Sequence, residues 1–234
     1  MAKWTAEKMT EEVRSLLGSK LLSVVLYGSS AAGDHAGKNS DINLMVVSHP
    51  LGRPELQSLS RAVVPWVQQG NPPPLFLTRE HLEDFVDVFP VEISDIRGNH
   101  KVLHGTDPLE GLSVSRDHLR AELEHELQGK LLRLKTRFMM SEGKPKAVSG
   151  LMTESLSTFL VLFKSVLRLY GEEPPLKKMD ALKKLQERFP FDLEVFRTVD
   201  GLKRGESPKG LDVLGTFEKY LSAIETVVDK ISAV

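Results

Sequence analysis

Two continuous apolar segments, separated by a short polar stretch, constrain the fold of this 234-residue chain more than any other feature. The first is LLSVVLY at 21–27, which stops at Gly28, and the second is INLMVV at 42–47, which leads to His49-Pro50. Short apolar runs bounded by turn residues are typical of strands. Strands that are apolar at successive positions lie inside a sheet that is covered on both faces. We therefore expect a sheet with these two strands near its centre.

The remainder of the first half alternates helical and strand patterns, which predicts an α/β domain with a mixed sheet. Thr5 and Thr78 are suitable N-cap residues for two of the helices. The predicted helices are 5–18, 54–70 and 79–89, and the further predicted strands are 75–78, 91–97 and 100–105.

The pattern changes to helical periodicity after Asp107-Pro108. Leucines recur along one stripe of 115–140, the segment 152–171 is apolar enough for a central helix, and three more helical segments follow up to residue 232. We predict two domains, a mixed β-sheet domain over 1–110 and an all-α helical bundle over 114–234.

The composition excludes several classes of protein. The chain has no cysteine, so disulfide scaffolds, cysteine nucleophiles and thiolate metal sites are excluded. A formal net charge of −1 argues against nucleic acid as the main partner. No uninterrupted apolar run is long enough to span a bilayer, and the charged start of the chain does not resemble a secretory signal. We expect a cytoplasmic protein with no membrane partner, and a homodimer remains open.

The polar stretch between the two apolar segments carries the clearest chemical pattern. Gly28-Ser29 follows the first strand directly, and small residues at such a turn allow backbone N–H groups to approach a phosphate. Ser40-Asp41-Ile42-Asn43 opens the second strand, and the two-residue period places Asp41 and Asn43 on one face. A polar edge beside a phosphate-binding turn is the layout that metal-assisted phosphoryl or nucleotidyl transfer requires.

This pattern resembles the signature of the nucleotidyltransferase superfamily, which includes DNA polymerase beta and the aminoglycoside adenylyltransferases. The segment Gly28–Asn43 is most similar to the aminoglycoside-adenylyltransferase-like branch, in which a helical domain follows the catalytic one. The resemblance implies a nucleotidyltransferase fold and ATP or another nucleoside triphosphate as substrate. It also implies nucleotide binding by Gly28 and Ser29, with Ser40 in the second motif, and Mg²⁺ or Mn²⁺ binding by the residues at positions 41 and 43.

The resemblance also implies a third acid on a later strand, and Glu92 is the position we match to it. Asp95 is the rival, because the predicted strand 91–97 would place the two carboxylates on opposite faces. The third acid would bind metal or take the proton of the acceptor hydroxyl. The predicted metal and catalytic set is therefore Asp41, Asn43 and Glu92. His100 and His104, four residues apart, are interpreted as hydrogen-bonded surface or interface side chains rather than metal ligands.

Position 43 departs from the family pattern, because active members have Asp where this chain has a neutral Asn. The predicted site loses one of three negative charges, and we expect weaker metal binding and slower chemistry. Two hypotheses follow. The first is a nucleotidyltransferase that moves a nucleoside monophosphate, AMP from ATP in the first instance, to a hydroxyl of a small molecule or protein. The second is a catalytically lapsed protein of the same fold that binds a nucleotide or a partner.

A third hypothesis, an antitoxin-type nucleotidyltransferase, is disfavoured because the chain carries its own helical bundle. The acceptor has no recognisable motif.

Overall fold

The computed structural model describes residues 4–31, 41–206 and 208–232. The chain divides into two compact units, Met1–Ser115 and Arg116–Val234. Within the described residues, the first unit contains four strands and four helices, and a short 3₁₀ turn at Gly28–Ser30 follows the first strand. The strands are β1 (Leu21–Tyr27), β2 (Asn43–Ser48), β3 (Leu75–Leu77) and β4 (His100–Gly105), and the helices are α1 (Ala6–Leu17), α2 (Arg53–Gln68), α3 (Arg79–Val88) and α4 (Pro90–Gly98).

The strands form one mixed sheet in the order β3-β2-β1-β4. β1 is antiparallel to both β2 and β4, whereas β2 is parallel to β3. The two apolar segments are therefore the two central strands, as their composition predicts. This topology brings the carboxyl end of β1 beside the amino ends of β2 and β4.

Both faces of the sheet are covered, because side chains alternate between two apolar cores. Val24 and Val46 point to the face where α1 and α2 contribute buried side chains such as Trp66. Val25 and Met45 point to the other face, towards α3 and α4. A slip of one residue in the strand pairing would exchange these two sets, so burial on both sides fixes the register. The predicted caps are also present, since the Thr5 and Thr78 hydroxyls accept bonds from the first turns of α1 and α3.

One predicted element is wrong, because 91–97 is not a strand but most of helix α4. Pro90 occupies the first turn of α4, where its fixed φ favours a helix and its missing N–H costs nothing. Ile93 and Ile96 are both buried against the sheet, and a spacing of three residues is a helical one. An alternating pattern in so short a segment fits a strand equally well, and packing against the sheet decides between them.

The second unit is helical throughout its described elements. Its helices are α5 (Arg116–Met140), α6 (Pro145–Leu169), α7 (Lys178–Arg188), α8 (Leu193–Lys203) and α9 (Val213–Ser232). The stripe of five leucines predicted on α5 is buried along its whole length.

Helix α6 is the central element of this bundle, and it packs against α5, α7, α8 and α9. It begins at Pro145, seven residues before the predicted start, again with proline in the first turn. Among the described residues, α6 is also the one helix that is long and apolar enough to cross a membrane, but 61% of its most apolar window is buried. Burial of that extent is what the core helix of a bundle shows, so length and composition are weak grounds for a membrane span.

Candidate functional site

The turn that follows β1, which we call the Gly28 turn (Gly28–Ser30), has little room for a side chain at its first residue. Gly28 has a φ of +77°, a conformation that residues with a Cβ rarely adopt. A Cβ added there would lie 3.3 Å from Nδ2 of Asn43. The backbone N–H of Gly28 donates to the carbonyl of Asn99 over 3.1 Å, and the N–H of Ala31 donates to the carbonyl of Gly28. The turn is thus closed on itself and held directly against Asn43.

The start of β2 presents a carboxylate and an amide beside this turn. Asn43 lies opposite Tyr27 of β1. Ile42 packs in the core under α1 and α2, so Asn43 points to the other face of the sheet. Asp41 precedes the strand and is exposed, and its backbone carbonyl accepts a 2.9 Å hydrogen bond from the Ser30 hydroxyl. This bond joins the Gly28 turn to the segment that carries both predicted metal ligands.

The side-chain oxygens of these two residues have no partner among the residues that the structure describes. Across the described ranges, neither the Asp41 carboxylate nor the Asn43 amide takes part in a hydrogen bond or ion pair. Ser40, the predicted neighbour in the same motif, lies outside the described residues, as does the side chain of Ser29. The donor set that the structure describes is therefore one carboxylate and one amide oxygen.

A histidine and an aspartate that we did not include in the predicted site lie on the other side of β1. His100, the first residue of β4, pairs with Tyr27, so the side chains of Asn43, Tyr27 and His100 form a row on one face. The His100 Nε2 lies 3.0 Å from a carboxylate oxygen of Asp107, and its Nδ1 lies 3.1 Å from the carbonyl oxygen of Arg97. Both ring nitrogens face acceptor oxygens, so each lies where a ring N–H can donate.

The electrostatics of Asp107 agree with this arrangement. Burial by itself would raise the pKa of the Asp107 carboxyl, but hydrogen bonds from the Leu109 N–H and from His100 lower it. The positive charges of His100 and Arg97 act in the same direction, and the net result is a pKa below the ordinary value. The His100–Asp107 pair joins the segment that follows β4 to the first residue of that strand. His100 directly follows Asn99, whose carbonyl accepts the hydrogen bond from the Gly28 N–H. Tyr27, which lies between His100 and Asn43 in the row, is partly buried, and this burial raises the pKa of its hydroxyl.

Glu92 and Asp95 occupy positions different from those that the strand prediction gave them. Both lie on α4, three residues apart, so they share one side of a helix rather than facing opposite ways on a strand. Glu92 is exposed in the first turn, about 9 Å along the helix axis from Gly98 at its end. On the β4 side of Tyr27, the residue paired with it in the sheet is His100 and not Glu92 or Asp95. Because 91–97 is helical, alternation between the two faces of a strand does not separate Glu92 from Asp95.

Metal-binding capacity can be assessed from the donor set. In the described ranges, no group of three or more His, Asp or Glu side chains is arranged to hold a metal ion. One carboxylate and one amide oxygen fit a magnesium ion that arrives with a nucleotide, because Mg²⁺ commonly takes one or two protein carboxylates and completes its shell with phosphates and water. The residues fit an ion shared with substrate rather than one held by protein ligands alone.

Comparison with known proteins agrees with the fold predicted from Gly28–Asn43. Neither a protein-family profile nor a curated protein sequence matches the chain. Among solved structures, the chain is similar to the spectinomycin adenyltransferase AAD(9) from Enterococcus faecialis, crystallised with ATP and spectinomycin. The similarity has a TM-score of 0.56 and covers 92% of this chain and 96% of that one, at 14% sequence identity. This chain therefore shares the fold of that adenyltransferase, and its own fold is a mixed-sheet unit followed by a helical one.

Proposed function

We propose that this protein transfers a nucleoside monophosphate, AMP from ATP in the first instance, to a hydroxyl group of a small molecule or protein. The observation that carries the proposal is the Gly28 turn, where a glycine with positive φ lies against Asn43. Small residues at the end of a central strand, next to a carboxylate at the start of the neighbouring strand, suit a triphosphate and its metal ion.

The Gly28 turn and the segment at the start of β2 would bind different parts of a metal–nucleotide complex. Gly28 and Ser29 would bind the triphosphate, and Asp41 and Asn43 would hold Mg²⁺ or Mn²⁺ through their side-chain oxygens. A divalent ion supplies charge neutralisation for the phosphates when it is bound. The reaction itself would be an in-line displacement at the α-phosphorus. The acceptor oxygen forms a bond to phosphorus, the bond to the pyrophosphate oxygen breaks, and the hydroxyl proton passes to a base.

Glu92 remains our proposed third group, as a metal ligand or as that base. Its exposed carboxylate in the first turn of α4 is free to meet a substrate. Asp95 is the alternative on the same side of that helix. A Glu92→Gln variant compared with Asp95→Asn separates the two, since the residue that takes the proton is the one whose neutral variant keeps nucleotide binding but loses transfer.

The comparison with AAD(9) supports ATP as the donor and a small hydroxyl-bearing molecule as the acceptor. That protein was crystallised with ATP and spectinomycin, and its fold extends over nearly the whole of this chain. At 14% identity, the resemblance supports the class of acceptor rather than spectinomycin itself.

The experiment that tests the proposal is a nucleotide-binding titration with Mg²⁺ or Mn²⁺, followed by a transfer assay with α-labelled ATP and a panel of hydroxyl acceptors. An Asn43→Asp variant should bind metal-ATP roughly tenfold more tightly, because ligand charge sets divalent-cation affinity. Asn71→Asp is the matched control, since it adds the same charge near β2 at a side chain whose oxygen already accepts from the Ile42 N–H. Failure of both the native chain and Asn43→Asp to bind any nucleotide would overturn the proposal.

The neutral Asn43 also favours a second candidate, a lapsed enzyme that binds nucleotide without turning it over. Only one carboxylate is present where the family pattern has two, and a site short of charge binds its metal more weakly. This candidate predicts ATP binding by the native chain, no release of pyrophosphate with any acceptor, and a gain of metal affinity in Asn43→Asp. Pyrophosphate release by the native chain decides for the first proposal.

A further inference from the structure

A cavity of about 300 Å³ lies in the second unit, between helices α5 and α6. We call it the α5–α6 groove. Its lining residues recur at intervals of three and four positions on each helix, which is the spacing of a single helix face. From α5 they are Lys130, Arg133, Leu134 and Arg137, and from α6 they are Leu151, Glu154, Ser155, Thr158 and Phe159.

The floor of the groove is apolar and firmly packed. Leu134, Leu151 and Phe159 are 2%, 4% and 1% exposed, so they belong to the core of the bundle. One polar group is fixed beside them, the Ser155 hydroxyl, which donates to the carbonyl of Met152 over 3.1 Å and lies 3.1 Å from the hydroxyl of the buried Tyr220. A floor of this kind favours a planar or aliphatic ring.

The rim of the groove is cationic. Three basic side chains line it against the single carboxylate of Glu154, a net charge of +2. Lys130 pairs with Glu126 over 3.2 Å in a half-buried pair, and Arg137 pairs with Glu154 over 2.6 Å in an exposed pair, which a stronger ligand can displace. Arg133 forms no hydrogen bond or ion pair within the part of the chain that the structure describes.

We propose that the α5–α6 groove is a second ligand site, which binds a small molecule carrying a phosphate or carboxylate group on an apolar ring. The free guanidinium of Arg133 offers paired N–H donors in the geometry that suits an oxyanion. The ring lies over Phe159 and Leu134 while the anion meets the rim. The proposal concerns residues 116–234 alone and does not depend on nucleotide transfer in the first unit.

Fluorescence titration of the full-length protein, without nucleotide or metal, tests this site. The probes are 1-naphthyl phosphate and 1-naphthoate, with neutral 1-naphthol and inorganic phosphate for comparison. We expect at least one of the two aromatic anions to bind at least tenfold more tightly than 1-naphthol or inorganic phosphate, because ring and charge contribute together. The better of the two anions tells whether a phosphate or a carboxylate is preferred.

Two substitutions locate the binding. Arg133→Gln should weaken binding of the preferred anion about tenfold or more while leaving 1-naphthol unaffected, since a charged hydrogen-bond partner is lost. Thr158→Phe should block the groove for the preferred anion and for 1-naphthol alike, because Thr158 is exposed on the wall of the groove. Arg61→Gln is the matched control, at an exposed arginine of α2 in the first unit that has no partner among the described residues.

Three results of the probe titrations alone would overturn the proposal. They are equal affinity for the anions and for 1-naphthol, unchanged affinity in Arg133→Gln, and absence of any probe binding. Displacement of the probe by ATP, with loss of binding in Gly28→Ala but not in Arg133→Gln, would assign the probe to the nucleotide site and also refute the groove. Since no step of this titration uses ATP turnover, its failure leaves the transferase proposal to its own test. Far-ultraviolet circular dichroism of each variant confirms that the bundle is folded.

Discussion

Replacement of Gly28 by alanine isolates the contribution of the Gly28 turn to the site. Two costs arise in this variant, and they have different origins. Alanine at a φ of +77° costs about 1–2 kcal/mol of stability, because its Cβ approaches the neighbouring carbonyl oxygen. The same Cβ lies 3.3 Å from the Asn43 amide, so that side chain must move by a few tenths of an ångström. The first cost acts on folding alone, and the second acts on folding and also on the geometry of a proposed metal ligand.

Gly70 provides the control that separates these costs. Its φ is +92°, and a Cβ added there meets no atom within 4 Å. Gly70→Ala should therefore lower the free energy of unfolding by about 1–2 kcal/mol through backbone strain alone. We expect Gly28→Ala to lose more stability than Gly70→Ala in urea unfolding, because its Cβ also contacts Asn43, and only Gly28→Ala to bind Mg²⁺-ATP more weakly, by about tenfold or more, in calorimetric titration.

A double-mutant cycle with Asn43 tests the reasoning independently of any ligand. In an Asn43→Ala background the contact is gone, so the stability cost of Gly28→Ala should fall to that of Gly70→Ala. If the cost of Gly28→Ala is the same in both backgrounds, and if this variant binds ATP as the native chain does, the contact between the Gly28 turn and Asn43 contributes neither to stability nor to nucleotide binding.

Three further predictions concern stability. Because folding lowers the pKa of Asp107, the stabilisation that its carboxylate gives is fully present above about pH 4 and is lost as the pH falls through the folded-state pKa. Asp107→Asn should therefore lower the stability of the first unit at neutral pH and flatten its acid unfolding profile. Burial raises the pKa of Tyr220, so its stabilisation is present below about pH 10 and is lost at higher pH, and Tyr220→Phe should remove that alkaline loss in circular dichroism. Ile93 is fully buried on α4, and Ile93→Ala should cost about 2–5 kcal/mol in urea unfolding, whereas Val88→Ala, at an exposed residue of α3, should cost less than about 0.5 kcal/mol.

The central part of the fold is predictable from the sequence, because a long buried segment is apolar at nearly every position or at a regular spacing. LLSVVLY and INLMVV are apolar at nearly every position, and they form the two inner strands, β1 and β2. The leucine stripe of α5 is equally direct, since a helix that packs along one side repeats its apolar residues. In each case the pattern extends over enough residues to exclude the alternative period.

Shorter patterns do not carry that information. Residues 91–97 alternate well enough for a strand, and only packing of Ile93 and Ile96 under the sheet shows that a helix is formed. His100 and Asp107 were not predicted as part of the site, because their relevance depends on the pairing of β4 with β1. That pairing joins distant parts of the chain, and no local periodicity encodes it. A histidine at the start of a strand adjacent to the Gly28 turn becomes informative once the strand order is known.

The hydrogen bond from the Gly28 amide to the carbonyl of Asn99 also bears on the order in which the protein assembles. Pairing of β1 with β2 involves segments that are near each other in sequence, whereas Asn99 and the His100–Asp107 pair are synthesised much later. Closing that distant contact is entropically expensive and therefore slow. During synthesis on the ribosome, a nascent chain that has not yet exposed Asp107 can form the central strand pair, but its turn lacks the bond that fixes it. The Gly28 turn is thus fixed by this bond only after nearly the whole first unit has emerged.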